Sequence, residues 1–154
     1  MTRHWLLKTE PDTFGIDDLA AAPRRTTSWE GVRNYQARNM LRDEFSKGDL
    51  AFLYHSSCAE PGITGIVEVV RAGHPDASAW RRGPYFDARS TEKKPVWYTV
   101  DVRLKRALRR VITLTELRSH ADGALSGFSL LRRGNRLSVM PVDAEHWEFI
   151  IGLE

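Results

Sequence analysis

Apolar residues along the chain fall into two rhythms, and their succession predicts the elements. A short apolar run over residues 4–8 predicts a first strand, ended by the breaker Pro11. Residues 16–21 form a short helical pattern with Asp17 and Asp18 in the first turn, where carboxylates suit the helix dipole. After a loop over 23–27, Asn34 is placed as a helix N-cap. Ala37, Met40, Leu41 and Phe45 then recur at helical spacing, and Lys47-Gly48 closes the helix. The near-continuous apolar run over 49–56 predicts a buried strand, and the β-branched run entered at Gly62 and ending at Val70 another. His74-Pro75-Asp76 suggests a turn, 76–80 a short helix, and 81–94 an ordered surface loop whose aromatics need something to pack on.

Alternation over 96–104 predicts the clearest strand. Thr113 and Glu116 fit a capping box that opens a helix to Ser119. A basic segment over 130–136 surrounds a glycine turn. A strand over 137–142, broken by Pro141, precedes a last helix capped by Asp143. Strands and short helices without a βαβ rhythm predict an α+β fold, with a twisted, mainly antiparallel sheet curled into a small barrel and helices around it. The 154 residues suit one domain, spanning 1–154.

Composition changes this picture little. A net charge of +3 is compatible with a nucleic-acid partner but does not require one. The single cysteine, Cys58, excludes an internal disulfide, and no Cys/His cluster has zinc spacing, so neither a metal nor a cofactor is expected. The opening residues lack the apolar run of a secretory signal, and no run approaches membrane-spanning length, so a reducing, cytoplasmic setting is the default. A dinucleotide-binding glycine turn, a P-loop, a nucleophile elbow and a Pro-Cys-x-x-Cys deaminase element are all absent.

Candidate chemistry concentrates in residues 29–39, where two aromatics, two arginines and two asparagines surround one glycine. Trp29 to Arg33 form a loop leading into a helix N-terminus. Two readings stand: a capped turn whose Trp is core, or a flat aromatic face with fixed polar groups that holds a nucleobase. Tyr54, His55 and Ser56 end a buried strand with polar side chains, as pocket rim or as groups satisfied by the loop. Trp97 lies on the polar face of its strand, either covered by a loop or lining a cleft. Lys8 and Glu10, two apart at a strand end, serve a site or form a surface ion pair.

These segments, with Trp5-Leu6-Leu7-Lys8-Thr9-Glu10-Pro11 and the block from Trp29 through Arg33-Asn34-Tyr35-Gln36-Ala37-Arg38-Asn39, closely resemble the EVE domain family. So do Gly48-Asp49-Leu50 and Arg136-Leu137-Ser138-Val139-Met140-Pro141-Val142. This family is a fold relative of PUA and YTH domains, and the resemblance runs from about Trp5 to Ile150. It implies a PUA-like twisted antiparallel β-barrel surrounded by short helices. It also implies a pocket for a modified nucleobase, modified cytosine in DNA first and RNA second.

On that resemblance the Trp29 block, Tyr54-His55-Ser56, Arg136-Leu137-Ser138, Lys8, Glu10 and Trp97 are the candidate ligand-binding segments. Trp29, helped by Trp97 or Tyr54, would wall in the ring, while Asn34, Ser56 and backbone near Val32 read its edge. Arg33, Arg38, Arg132, Arg133 and Arg136 would hold phosphates. The expected protein is a monomeric, non-catalytic reader with no membrane partner. Two alternatives are a hydrolase of modified nucleosides, as in the ASCH group, with Lys8 and Glu10 as acid and base, and a protein-interaction domain.

Overall fold

A computed structural model describes residues 2–154. Six strands, β1 (His4–Thr9), β2 (Thr26–Ser28), β3 (Leu50–His55), β4 (Gly62–Pro75), β5 (Tyr98–Thr113) and β6 (Val139–Pro141), form one sheet in the order β2-β5-β4-β3-β1-β6. Four helices accompany it: α1 (Ile16–Ala21), α2 (Tyr35–Asp43), α3 (Leu114–Arg118) and α4 (Ala144–Ile151). All pairings are antiparallel except β1 with β3, which run parallel because α1, β2 and α2 intervene as a crossover. The sheet is therefore mixed. Its outer strands, β2 and β6, do not pair, so the twisted sheet curls without closing into a barrel.

Both faces of this sheet are covered, which explains the continuous apolar runs in its central strands. In β1, Trp5 and Leu7 belong to one core and Leu6 to the other; in β3, Ala51 and Leu53 face the first, Phe52 and Tyr54 the second. The first core is closed by Ala37, Met40 and Leu41 of α2 together with Trp29, Val32 and Phe45. The second is closed by Leu117 of α3, Trp147 and Ile150 of α4, and Leu125 and Phe128 between them.

Asn34 caps α2, accepting from the Ala37 amide at 2.9 Å. The helix is shorter than its apolar spacing predicts. It ends at Asp43, and Phe45 reaches the core from the following turn, stacked on Trp5 with centroids 4.0 Å apart. Lys47-Gly48 instead turns the chain into β3, with Gly48 at φ +96°. Strands β4 and β5 are longer than predicted. β4 runs past Val70 through residues such as Arg71 and His74 that carry no strand pattern and pair with Asp101 and Thr99, and β5 runs past Leu104 to Thr113, where Gly65 pairs with Ala107 and Ile63 with Ile112. The expected turn at residues 74–76 is thus partly strand, and Val96 and Trp97 precede β5. Thr113 caps α3 through the Glu116 amide, but only this half of the expected capping box forms, because the Glu116 carboxylate accepts from Arg110 instead; Asp143 precedes α4 without a side-chain cap bond.

One buried carboxylate ties the start of the sheet together. Asp49, 1 % exposed, accepts from the Trp5 indole at 3.0 Å, the Ser46 amide at 3.0 Å and the Arg3 amide at 3.1 Å. Asp49→Ala is expected to cost roughly 1–3 kcal/mol for each buried donor it leaves unpaired. Chemical denaturation measures this, and an unchanged midpoint would contradict the role.

Candidate nucleic-acid interface

The loop from Trp29 to Arg33 is fixed at both ends by backbone bonds. Its start continues β2, where the Trp29 amide donates to the Val100 carbonyl at 2.8 Å; its end is the Asn34 cap. Trp29 and Val32 are 7 % and 6 % exposed, so each is mostly core with a narrow face left open. Gly31 between them has φ +91°, and a Cβ there would lie 2.6 Å from the Tyr85 ring. Only glycine allows both this backbone and the close approach of Tyr85.

Asp76 holds the loop in place. It is 1 % exposed and accepts from the Gly31 amide at 2.9 Å, from Arg33 at 3.0 Å, and from the Ser78 amide and hydroxyl. Burial pushes its pKa up, but the bonds from Ser78, Gly31 and Arg33 and the Arg33 charge outweigh that, so it lies below the ordinary carboxylate value. Arg33 goes on to donate to the Tyr85 carbonyl at 2.7 Å and lies over the Tyr85 and Trp97 rings. One ion pair thus joins the Trp29 loop to residues 76–85.

These residues wall a cleft of about 490 Å³. Lys8, Thr9 and Glu10 from the end of β1 line it, with Trp29 to Arg33, Ser56, Ser57, Tyr85, Arg136 and Ser138. Burial lowers the Lys8 pKa. Burial also raises that of Glu30, assisted by Asp76 and opposed by Arg81 and Arg33. Both shifts mark a cleft drier than open surface. No ion pair joins Lys8 to Glu10 among the described residues.

A second groove of about 850 Å³ adjoins the first, since Arg136 lines both. Asn34, Arg132, Arg133, Asn135 and Leu137 line it. Arg132, Arg133 and Arg136 are exposed, and none of the ion pairs among the described residues engages them.

The structure therefore gathers Lys8, Glu10, Trp29, Val32, Arg33, Ser56, Arg136 and Ser138 into the first cleft, and Asn34, Arg132, Arg133 and Leu137 into the second groove. It places the others elsewhere, for physical reasons. Strand alternation turns Tyr54, 3 % exposed, into the core opposite Trp29. His55 accepts from the Ile16 amide at 3.1 Å, and burial lowers its pKa despite Asp17, which suits a neutral acceptor. Trp97 is covered: Tyr35 stacks on it at 4.9 Å and its indole donates to Asp87 at 2.9 Å. Arg38 donates to the Val96 carbonyl at 2.8 Å and lies over Tyr35. Arg33, too, spends its guanidinium on Asp76 and Tyr85.

Sequence reasoning missed Glu30, Asp76 and Tyr85 as site residues. The available signal for Tyr85 was an aromatic pair inside a charged loop. Among the described residues no group of three or more His, Cys, Asp or Glu could hold a metal, and no helix is long and apolar enough to cross a membrane.

The family model described as EVE domain matches residues 3–153. Human thymocyte nuclear protein 1 is 41% identical, over 100% of this chain and 75% of its own length. The solved structure of human THYN1 protein in complex with 5-methylcytosine containing DNA superposes with a TM-score of 0.93 at 40% identity, covering 99% of this chain and 97% of that one. An ASCH protein from Zymomonas mobilis, 9% identical with a TM-score of 0.56 over 98% of each chain, shares the fold alone.

Asp76→Asn keeps the volume at the junction of the two loops and removes the charge. Because folding depresses the Asp76 pKa below its ordinary 3.8, the carboxylate's contribution is complete above that value and fades as pH falls through the lower folded value. The variant is expected to unfold more easily than wild type at neutral pH, with the gap closing in acid. Denaturation curves across pH test this, and a gap that persists unchanged into acid contradicts it.

Proposed function

The chain belongs to the EVE domain family, and on that premise we propose that it is a non-catalytic DNA reader that takes a modified cytosine into the cleft beside Trp29. The observation that carries the proposal is the likeness, over nearly the full length of both chains, to the human protein solved with 5-methylcytosine containing DNA. The chemistry of the cleft supports it independently. Its volume falls within the ~300–1,000 Å³ of small-molecule sites. A base can enter only after leaving the helical stack, at a cost of a few kcal/mol that cleft contacts must offset.

Cytosine presents an amino group, which a carboxylate accepts; Glu10 and Glu30 both line the cleft. A methyl group on the ring wants apolar surface, which Trp29 and Val32 supply. Ser56 and Ser138 add neutral hydrogen-bonding groups. The phosphates fall to Arg132, Arg133 and Arg136, whose charges are unspent, rather than to Arg33 and Arg38. Arg136, lining both clefts, would sit where the backbone leaves the base. The distant ASCH likeness gives the hydrolase reading no support beyond fold. An intracellular setting belongs to the same proposal, since DNA is the ligand.

Binding to two oligonucleotides that differ only in one cytosine methyl group tests this. Wild type is expected to prefer the methylated one. Trp29→Ala is expected to abolish the preference, and Tyr85→Ala, which removes a less buried wall, to weaken it with less damage to the fold. Arg133→Ala is expected to weaken both oligonucleotides about equally and to lower the salt slope by about 1. Preference that survives both wall variants, or that is lost in Arg133→Ala, contradicts this division of roles.

A further inference from the structure

Tyr35 and Phe86 are the exposed large hydrophobic side chains among the described residues, at 51 % and 56 %. Phe86 lines a shallow depression of about 430 Å³ whose walls include Arg33, Tyr85, Arg89 and Trp97. Tyr35 is stacked on Trp97, one of those walls. Arg33 and Tyr85 also line the base cleft, so the two share a wall. We propose that this depression is a second nucleotide subsite, in which the base next to the extruded one stacks on Phe86. The proposal rests on the reader function above and adds to it the place of the flanking nucleotide.

Charge decides what the depression can hold. Its two cations are neutralised in place: Arg33 by Asp76 at 3.0 Å and Arg89 by Asp87 at 2.9 Å. Hydrogen bonds from Arg89 and from the Trp97 indole keep Asp87 well below the usual carboxylate range, so that neutralisation persists at physiological pH. What remains is an aromatic surface without net charge, suited to the face of a base and not to a phosphate. Arg81, Arg82, Lys93 and Lys94 are exposed on the same loop, which carries five Lys or Arg against two Asp or Glu over residues 81–94. That excess of cations attracts the polyanionic backbone of a nucleic acid.

Size argues against a protein partner. A stable protein interface needs about 800 Å² on each side, with an apolar centre. Two exposed aromatics on a cationic loop do not supply that. Loop packing does not account for Phe86 either. Tyr85 lies against Gly31 and Trp97 is covered by Tyr35, whereas Phe86 is left more than half open.

The test uses Phe86→Ala, whose exposure leaves the fold undisturbed, a point checked by thermal unfolding. Wild type and variant are titrated with an oligonucleotide carrying a single 5-methylcytosine, and with versions in which the neighbour on either side is abasic. The variant is expected to bind the intact oligonucleotide about five-fold or more weakly, while keeping the preference for the methylated base. One abasic neighbour is expected to weaken wild type to the same extent, and to cost the variant nothing further. Unchanged affinity of Phe86→Ala, or losses from variant and abasic neighbour that add instead of overlapping, overturns the subsite. A wild type that shows no preference for the methylated oligonucleotide overturns the cleft reading instead, and the two failures are told apart by that one comparison.

Discussion

Asp76 and Arg33 meet in a nearly closed environment, and the site depends on their contact. A carboxylate taken out of water loses several kcal/mol of hydration, which an ion pair alone seldom recovers. Here it is surrounded by donors. The Gly31 amide, the Ser78 amide and hydroxyl and the Arg33 guanidinium all point at its two oxygens. Those donors come from two segments far apart in sequence. Satisfying one charge therefore fixes the Trp29–Arg33 loop against residues 76–85, and the cleft is the space between that pair and the end of β1. Replacing Arg33 would leave the buried Asp76 charge with its Gly31 and Ser78 donors but without its counter-ion, and replacing Asp76 would leave the Arg33 guanidinium with neutral acceptors such as the Tyr85 carbonyl.

The same accounting separates structural from available charge. Arg33, Arg38 and Arg89 are each committed to a carboxylate or a backbone carbonyl. Arg132, Arg133 and Arg136 are exposed around a glycine turn with no carboxylate holding them. Proximity of a cation to an aromatic in sequence says little about its role; what it is already bound to decides. On the proposed reading the exposed cationic groove takes phosphates and the aromatic walls take bases, which is how nucleic-acid surfaces commonly separate specificity from affinity.

Local features of the chain were legible before the structure. The Asn34 cap, the Thr113 cap, α1 and the central strands follow from residue types at fixed spacing. The family block pointed to the loop that the structure places along the cleft. What escaped was non-local. The partner of Arg33 lies 43 residues away, and Tyr85 approaches Gly31 across a loop with no periodic pattern. Tyr54 shows the opposite problem. Its polar neighbours suggested a pocket rim, but strand alternation sends it to the far core, whereas Ser56 lies past the end of β3, outside the alternation, and reaches the cleft. The two-faced burial of the sheet had to be known before that alternation could be used.

The central claim is that a modified cytosine leaves its stack and occupies the cleft. A crystal structure of this protein with DNA containing one 5-methylcytosine tests it most directly. The account predicts the methylated base extruded beside Trp29, Val32 and Tyr85, with its backbone running toward Arg136. A complex in which that base remains stacked in the duplex, or in which DNA lies on another face of the sheet, would contradict it.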